Sequence, residues 1–316
     1  MDEPKHITIL NTFTVENIPD LDVAVLGALE LFSKEPVPTI DLKTVYKKPL
    51  IVGSGNAEAT GRIIFQDVDA IFASESNFEE KLKHIYAIDG VVVVSASGGK
   101  HAPIIVKTAK KYGNHVTLIT NSTYSSASKE LDHAHSYDEY VFPKNREPYT
   151  YNTSTYMGMI LGSTGEDPGI IYNFIKEHIA TISFPDFLQY NKFYLIIPSK
   201  FSGIIRMLHV KFIELFGRQI ARDIETFEYV KHATTVVPSD ELFISFGDTN
   251  DSWGKPENRL HIPLPPDAGY AAMMAIGYFT IAQIQKQHPP YFKERIVAYT
   301  KEVSGIFEHD ILPIVE

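Results

Sequence analysis

The chain has 316 residues, 44% of them hydrophobic and 22% charged, with a formal charge of −10 and no cysteine. This is the composition of a folded globular protein long enough for two domains, and the missing cysteines exclude disulfides, thiolate catalysis and cysteine-ligated metal. The negative charge argues against nucleic-acid binding, which needs a basic footprint, and leaves an anionic substrate to be captured by local positive groups. The start, MDEPKHITIL, lacks a basic segment followed by a long apolar core, and no run approaches the roughly eighteen apolar residues of a membrane helix. A cytoplasmic location is the expectation.

Residues 1–19 are mixed, with a strand-like Ile7-Thr8-Ile9-Leu10 and a turn at Pro19-Asp20. From Asp20, LDVAVLGALELF has apolar residues at helical spacing behind an acidic start, and Pro36 and Pro38 stop that helix. Residues 49–52 read as a strand entering Gly53-Ser54-Gly55-Asn56, then a helix through Ile63-Ile64-Phe65. A dinucleotide fingerprint is disfavoured, because Glu58 takes the third glycine position and no acidic residue ends the next strand. A strand at 70–72 and a helix around Phe78–Tyr86 follow.

Val91–Val94 is a short β-branched run of the kind a buried parallel strand shows. It breaks into Ser95-Ala96-Ser97-Gly98-Gly99-Lys100, after which Ile104, Ile105, Ala109 and Tyr112 fall on one helical face. Val116–Ile119 is the next strand, completing a βαβ unit. Backbone amides at such a helix start favour an anion, Ser95 and Ser97 add hydroxyls, and Lys100 adds a full charge. Phosphate is the expected ligand.

Thr120-Asn121-Ser122 leads to a short helix, Ser126–Leu131. Asp132-His133-Ala134-His135 with Asp138 has no third ligand at a recognised spacing, so no metal site is assigned. Residues 141–148 read as strand then loop, and 151–162 as a helix. Ser163–Gly169 is the linker candidate, small and turn-rich. Beyond it come a helix at 170–182, a strand at 193–198, a small-residue turn at Ser199–Gly203 and a long helix over 204–220. Strands at 234–237 and 242–246, a loop at 247–258 holding the only Trp, and helices at 268–287 and 289–304 complete the chain. The strand, small-residue turn, helix order recurs in the two halves, a duplication of architecture.

Ser-x-Ser-Gly after a buried strand, then a helix, a Val/Ile strand and Thr120, with Ser125, Ser126 and Asp132 beyond, resembles the sugar isomerase (SIS) family of phosphosugar-binding domains. The family loop reads Ser-x-Ser-Gly-x-Thr; Ser95, Ser97 and Gly98 match, and Lys100 stands where the family has threonine. The resemblance implies an α/β fold of two SIS-like three-layer αβα units, each with a mainly parallel, flavodoxin-like sheet. One spans 1–165, with the N-terminal segment and the phosphate loop; the other spans 166–316, with a catalytic helix. It also makes Ser54 a sugar or phosphate contact and Arg146 a residue near the phosphate. Lys211-Phe-Ile-Glu214 matches the Lys-x-x-Glu of double-SIS enzymes, in which the glutamate moves the proton between C1 and C2. His232 lies where the family's ring-opening histidine is expected, followed by Ala233 in place of glycine. Glu225 and Glu228 stay open as alternative bases. A lysine near the C-terminus is also implied, Lys301 first and Lys293 second.

The implied function is an aldose–ketose isomerase of a hexose 6-phosphate, without cofactor or metal. The alternatives are a deglycase or deaminase of an aminated sugar phosphate, or a non-catalytic phosphosugar sensor. In chemical terms, a shielded carboxylate with a raised pKa is a usable base, a histidine shuttles the ring proton, and Lys211 would stabilise ene-diolate charge. The resemblance further implies a homodimer, with His232 serving the neighbouring subunit's pocket, and no nucleic-acid or membrane partner.

Overall fold

The structure, a computed structural model, describes residues 5–42, 45–131, 137–236 and 239–316. The His133 and His135 pair, and the end of the strand expected at 234–237, lie outside the described residues. By its internal contacts the chain divides into two compact units. Glu35–Lys144 and Thr155–Gly165 form the first; Met1–Lys34, Asn145–Ser154 and Glu166–Glu316 form the second. The first 34 residues therefore group with the carboxy-terminal unit, whereas the sequence places them with the amino-terminal one.

The chain opens with α1 (Lys5–Thr12) and α2 (Leu21–Phe32). The strand-like Ile7–Leu10 is thus helical. His6 and Leu10, four apart, are buried, and the buried Glu30 carboxylate of α2 accepts the amides of His6 at 3.0 Å and Ile7 at 2.9 Å. A carboxylate from another helix satisfies donors that a helix start leaves unpaired.

The first unit runs β1 (Pro49–Val52), α3 (Asn56–Ile64), β2 (Ile71–Ala73), α4 (Phe78–His84), β3 (Gly90–Val94), α5 (His101–Lys111), β4 (Val116–Thr120), α6 (Ser126–Glu130) and β5 (Tyr137–Val141). Its strands are all parallel, in the order β2-β1-β3-β4-β5. Alternation along the strands explains why the central ones are apolar throughout. Leu50, Val52, Val91 and Val93 pack with Ala102, Ile105, Val106 and Ala109 of α5. Ile51 and Val94 point the other way, against α3, where Gly61 lets the helix approach.

After β6 (Glu147–Pro148), helix α7 (Thr153–Thr164) crosses the boundary between the units. The second unit continues through α8 (Pro168–Phe174), β7 (Lys192–Ile197), α9 (Ile205–Phe216), β8 (Ala221–Thr226), α10 (Phe227–Ala233), β9 (Leu242–Phe246), β10 (Arg259–Ile262), α11 (Tyr270–Gln287), α12 (Tyr291–Phe307) and β11 (Ile314–Val315). Its sheet is again all parallel, ordered β10-β9-β7-β8. Tyr194 and Ile196 pack with Val230 of α10 on one face, and Phe193 meets Phe212 of α9 on the other. The apolar α11 is buried almost all round, against α2 and α9. The long helix expected over 204–220 ends at Gly217, with φ +57°, and the edge strand β8 follows it. Residues 234–236 form no strand. Each unit is an α/β layered structure with helices on both faces of a parallel sheet. Among the described residues no helix is long and apolar enough to cross a membrane.

Candidate functional site

In the first unit the strand order reverses between β1 and β3, and in open parallel sheets ligands bind beyond the carboxyl ends of the strands at such a point. The loops leaving these adjacent strands carry Ser54 on one side and Ser95, Ser97, Gly98 and Lys100 on the other. The sequence-derived anion groups are therefore brought to one edge. Ser54, Ser97 and Lys100 are exposed and Ser95 is half-buried. Ser54 Oγ donates to Glu75 at 3.1 Å.

The loop is shaped by its own backbone. Gly98 has φ +59°, and a Cβ there would run into the Ser125 side chain, so the position requires glycine. Its carbonyl accepts Ala127 N at 2.8 Å, while Ala96 O accepts Asn121 N at 3.0 Å and Thr120 Oγ1 at 3.1 Å. Ser97 Oγ accepts Gly99 N at 3.2 Å. Lys100 precedes α5 with φ +51°, a conformation L-residues rarely adopt.

The second unit places Lys211 and Glu214 on α9. Lys211 is 0% exposed, and its ammonium donates to Thr150 O at 2.7 Å, Tyr151 O at 2.7 Å and Glu214 Oε2 at 2.8 Å. An ammonium has three N–H groups, so all are engaged. The turn that supplies the two carbonyls carries Thr150 at φ +77° and Asn152 at φ +45°. Two aromatic contacts pin it to α12: Tyr149 lies 6.3 Å from Tyr299, and Tyr151 stacks on Phe292 at 5.1 Å, centroid to centroid. Below the turn the buried Glu147 accepts Thr153 N at 2.6 Å and Ser154 N at 2.7 Å, and β6 pairs with β11 through Val315.

The Glu214 side chain is 19% exposed and forms part of a cavity of about 460 Å³. Thr150, Ile213, Tyr291, Phe292, Ile296 and Tyr299 line it, with Arg218 and Arg295. Burial raises the Glu214 carboxyl above its ordinary value of 4.5, and the Lys211 charge opposes that rise. Burial, then the Glu214 charge, raises the Tyr299 phenol. Thr150 Oγ1 is buried without a hydrogen-bond partner.

The other sequence candidates lie elsewhere. His232 and Lys301 are exposed on α10 and α12, and neither lines this cavity. Lys293 pairs with Asp20 at 2.8 Å. Glu225 is half-buried on β8, and Glu228 is exposed in the first turn of α10. Arg146 holds the end of α1, donating to Leu10 O at 3.1 Å and Phe13 O at 2.8 Å, and it pairs with Glu316 at 3.3 Å. Sequence reasoning missed the cavity walls on α12. Their signal is the i, i+4, i+8 spacing of Tyr291, Arg295 and Tyr299, which sets them on one face. A second cavity of about 460 Å³ lies where the second sheet reverses order, lined by the loops after β7 and β9. Among the described residues no group of three His, Asp or Glu is placed to hold a metal ion.

No family model matches the chain, and no curated protein sequence matches it. Solved structures do. The C-terminal domain of glucosamine-fructose-6-phosphate aminotransferase from Francisella tularensis superposes with TM-score 0.62 at 14% identity, covering 92% of this chain and 95% of that one. The fold is the double-SIS fold. Tagatose-6-phosphate ketose/aldose isomerase from Escherichia coli shares it, with TM-score 0.59 at 11% identity over 86% of this chain and 92% of its own. In this double-SIS chain the switch-point loops of the first unit and the Lys211–Glu214 pair of the second are the two candidate centres.

Proposed function

We propose that the chain is a phosphosugar aldose–ketose isomerase acting on a hexose 6-phosphate, with Glu214 as the base. The observation that carries this reading is Glu214 itself: a shielded carboxylate, its pKa raised by burial, fixed by an ion pair at the wall of a cavity. The two solved structures named above, a tagatose-6-phosphate ketose/aldose isomerase and the C-terminal domain of a glucosamine-fructose-6-phosphate aminotransferase, add weight through the shared fold. In the proposed reaction Glu214 takes the C2 proton of the open aldose and returns it to C1. A proton passes from O2 to O1, and nothing else is consumed. A base with a pKa moved toward neutrality suits this transfer.

Ser54, Ser95, Ser97, Gly98 and Lys100 are the proposed phosphate groups. Arg146 is left out, because its guanidinium already serves the carbonyls of Leu10 and Phe13 at the end of α1 and the Glu316 carboxylate. Lys211 has no N–H left for the ene-diolate, so its proposed role is to position Glu214 and keep part of it ionised. His232 and Lys301 stay as proposed ring-opening and terminal-lysine groups, in a proposed cytoplasmic homodimer whose neighbouring subunit receives His232.

The test is exchange at C2 of glucose 6-phosphate, fructose 6-phosphate and mannose 6-phosphate in D₂O, followed by NMR. Exchange in the wild type that disappears in Glu214→Gln, with phosphosugar binding retained, is the expected result. Binding without exchange in the wild type would end the isomerase reading and leave a deglycase or deaminase of an aminated sugar phosphate, or a sensor.

A further inference from the structure

Five non-glycine residues among the described ones have positive φ: Lys100, Tyr124, Thr150, Asn152 and Glu308. Glu308 ends α12 as its left-handed cap, and Thr150 and Asn152 belong to the turn that gives its carbonyls to Lys211. Lys100 closes the loop proposed for phosphate, just before α5. Packing does not account for Tyr124, at φ +57°. A bulky side chain in that conformation is an outlier, and glycine would adopt it freely. Yet Tyr124 is 89% exposed, and its side chain makes no hydrogen bond, ion pair or ring contact among the described residues. The fold gains nothing from a tyrosine here. Backbone strain of this kind persists where function needs the residue.

Tyr124 stands in the loop leaving β4, the strand that pairs with β3. That loop is tied to the one at 95–100 on both sides of the tyrosine. Before it, Asn121 N and Thr120 Oγ1 donate to Ala96 O, and Thr120 Oγ1 accepts Ser122 N at 3.3 Å. After it, Ser125 lies so close to Gly98 that a Cβ there would strike its side chain, and Ser125 Oγ caps α6 by accepting Ser128 N at 3.0 Å. Successive Cα atoms are about 3.8 Å apart, so a single backbone step separates Tyr124 from a residue touching Gly98.

We infer that Tyr124 is a sugar-binding residue, its ring covering the apolar C–H face of the sugar whose phosphate is held by the loop at 95–100. The inference rests on the reading of that loop as the phosphate site and names a group that reads the sugar beside it. Ser95, Ser97 and Lys100 offer hydroxyls and a charge, which serve inorganic phosphate as well as a phosphate ester. Telling the two apart needs surface that meets carbon. A tyrosine supplies a large, rigid, amphipathic face with only two side-chain torsions to order, and the left-handed backbone presents it at the mouth of the loop.

The experiment is calorimetry of glucose 6-phosphate and of inorganic phosphate with the intact chain, alongside thermal melts. Tyr124→Asn removes the ring and puts in its place a residue that tolerates the left-handed conformation. Affinity for glucose 6-phosphate should fall about two- to tenfold, the usual worth of one aromatic contact, while affinity for inorganic phosphate stays the same. The melting midpoint should rise by about 2–4 °C as strain is relieved. Tyr124→Phe should keep the wild-type affinity for both ligands. An unchanged glucose 6-phosphate affinity in Tyr124→Asn, or an equal loss for both ligands, would overturn the inference. So would a lower melting midpoint, which would give Tyr124 a structural role. Lys100→Ala should weaken both ligands together. If it weakens neither, the phosphate reading fails and the inference falls with it; if it weakens both while Tyr124→Asn weakens neither, the inference alone falls. Absence of C2 exchange ends the isomerase reading without touching these affinities, which still decide Tyr124.

Discussion

In the first unit the candidate groups, Ser54, Ser95, Ser97 and Lys100, stand on loops leaving β1 and β3; in the second, Lys211 and Glu214 stand on the helix α9. The two sheets are alike, parallel and reversing order once, yet they hold their chemistry by different means. The loop is held by backbone bonds and by the room that Gly98 leaves for Ser125. The helix pair is held by one buried charge whose donors are all spent on distant carbonyls and a carboxylate. A loop of the first kind fails when a Cβ is added, and a pair of the second kind fails when a charge is removed.

Lys211→Met should break the second arrangement with the largest effect. It strands the Glu214 charge and two carbonyls, and losing one partner of a buried pair costs about 3–5 kcal/mol. Denaturant melts measure this loss. With the lysine charge gone, the pKa of Glu214 rises further, so the acid limb of the pH–rate profile should move to higher pH.

Gly98→Ala should break the first arrangement. Positive φ on a non-glycine residue costs about 1–3 kcal/mol, and the new methyl also displaces Ser125. Phosphosugar affinity, read by calorimetry, should fall more than thermal stability does. Equal affinity in this variant would remove the loop from the phosphate site.

Glu147→Gln is the smallest effect, and it sharpens the comparison. Burial raises the Glu147 carboxyl above 4.5, against bonds from Ser154 and Thr153 and the Lys211 charge. Its folded pKa is therefore above its unfolded one, so its contribution to stability is full below about 4.5 and is lost as pH rises through the folded value. The glutamine variant lacks that decline. Its deficit, about 1 kcal/mol, should be largest in acid and shrink toward neutral pH, as melts across pH would show.

Much of the fold was legible in the sequence because its central strands are buried on both faces. Pro49–Val52, Val91–Val94, Val116–Ile119, Phe193–Ile197 and Leu242–Phe246 are runs that few other structures accommodate. The edge strand β8, Ala-Arg-Asp-Ile-Glu-Thr, was not legible, because an edge strand needs little apolar surface and only Ile224 and Thr226 are buried. Ile7–Leu10 misled for the opposite reason: four residues fit either period, and the deciding contact comes from Glu30. In the candidate site, the Lys-x-x-Glu spacing placed Glu214 beside Lys211. What Lys211 does with its other two N–H groups depends on carbonyls sixty and sixty-one residues away, which no local pattern encodes. Arg146 is a similar case, committed to carbonyls 136 and 133 residues distant.

The second unit gathers α1 and α2 from the beginning of the chain and, through β6 and β11, a segment at its end. The first unit draws only on residues from Glu35 to Gly165. During vectorial synthesis, domains close as their residues emerge. The first sheet can thus form while the ribosome is still reading the second half of the message. Helices α1 and α2 are made before the first sheet, yet α2 must wait for α8 and α11. A segment made ahead of the first sheet is among the last to be buried, and the apolar surface of α2 needs protection from the solvent and from other chains throughout that interval.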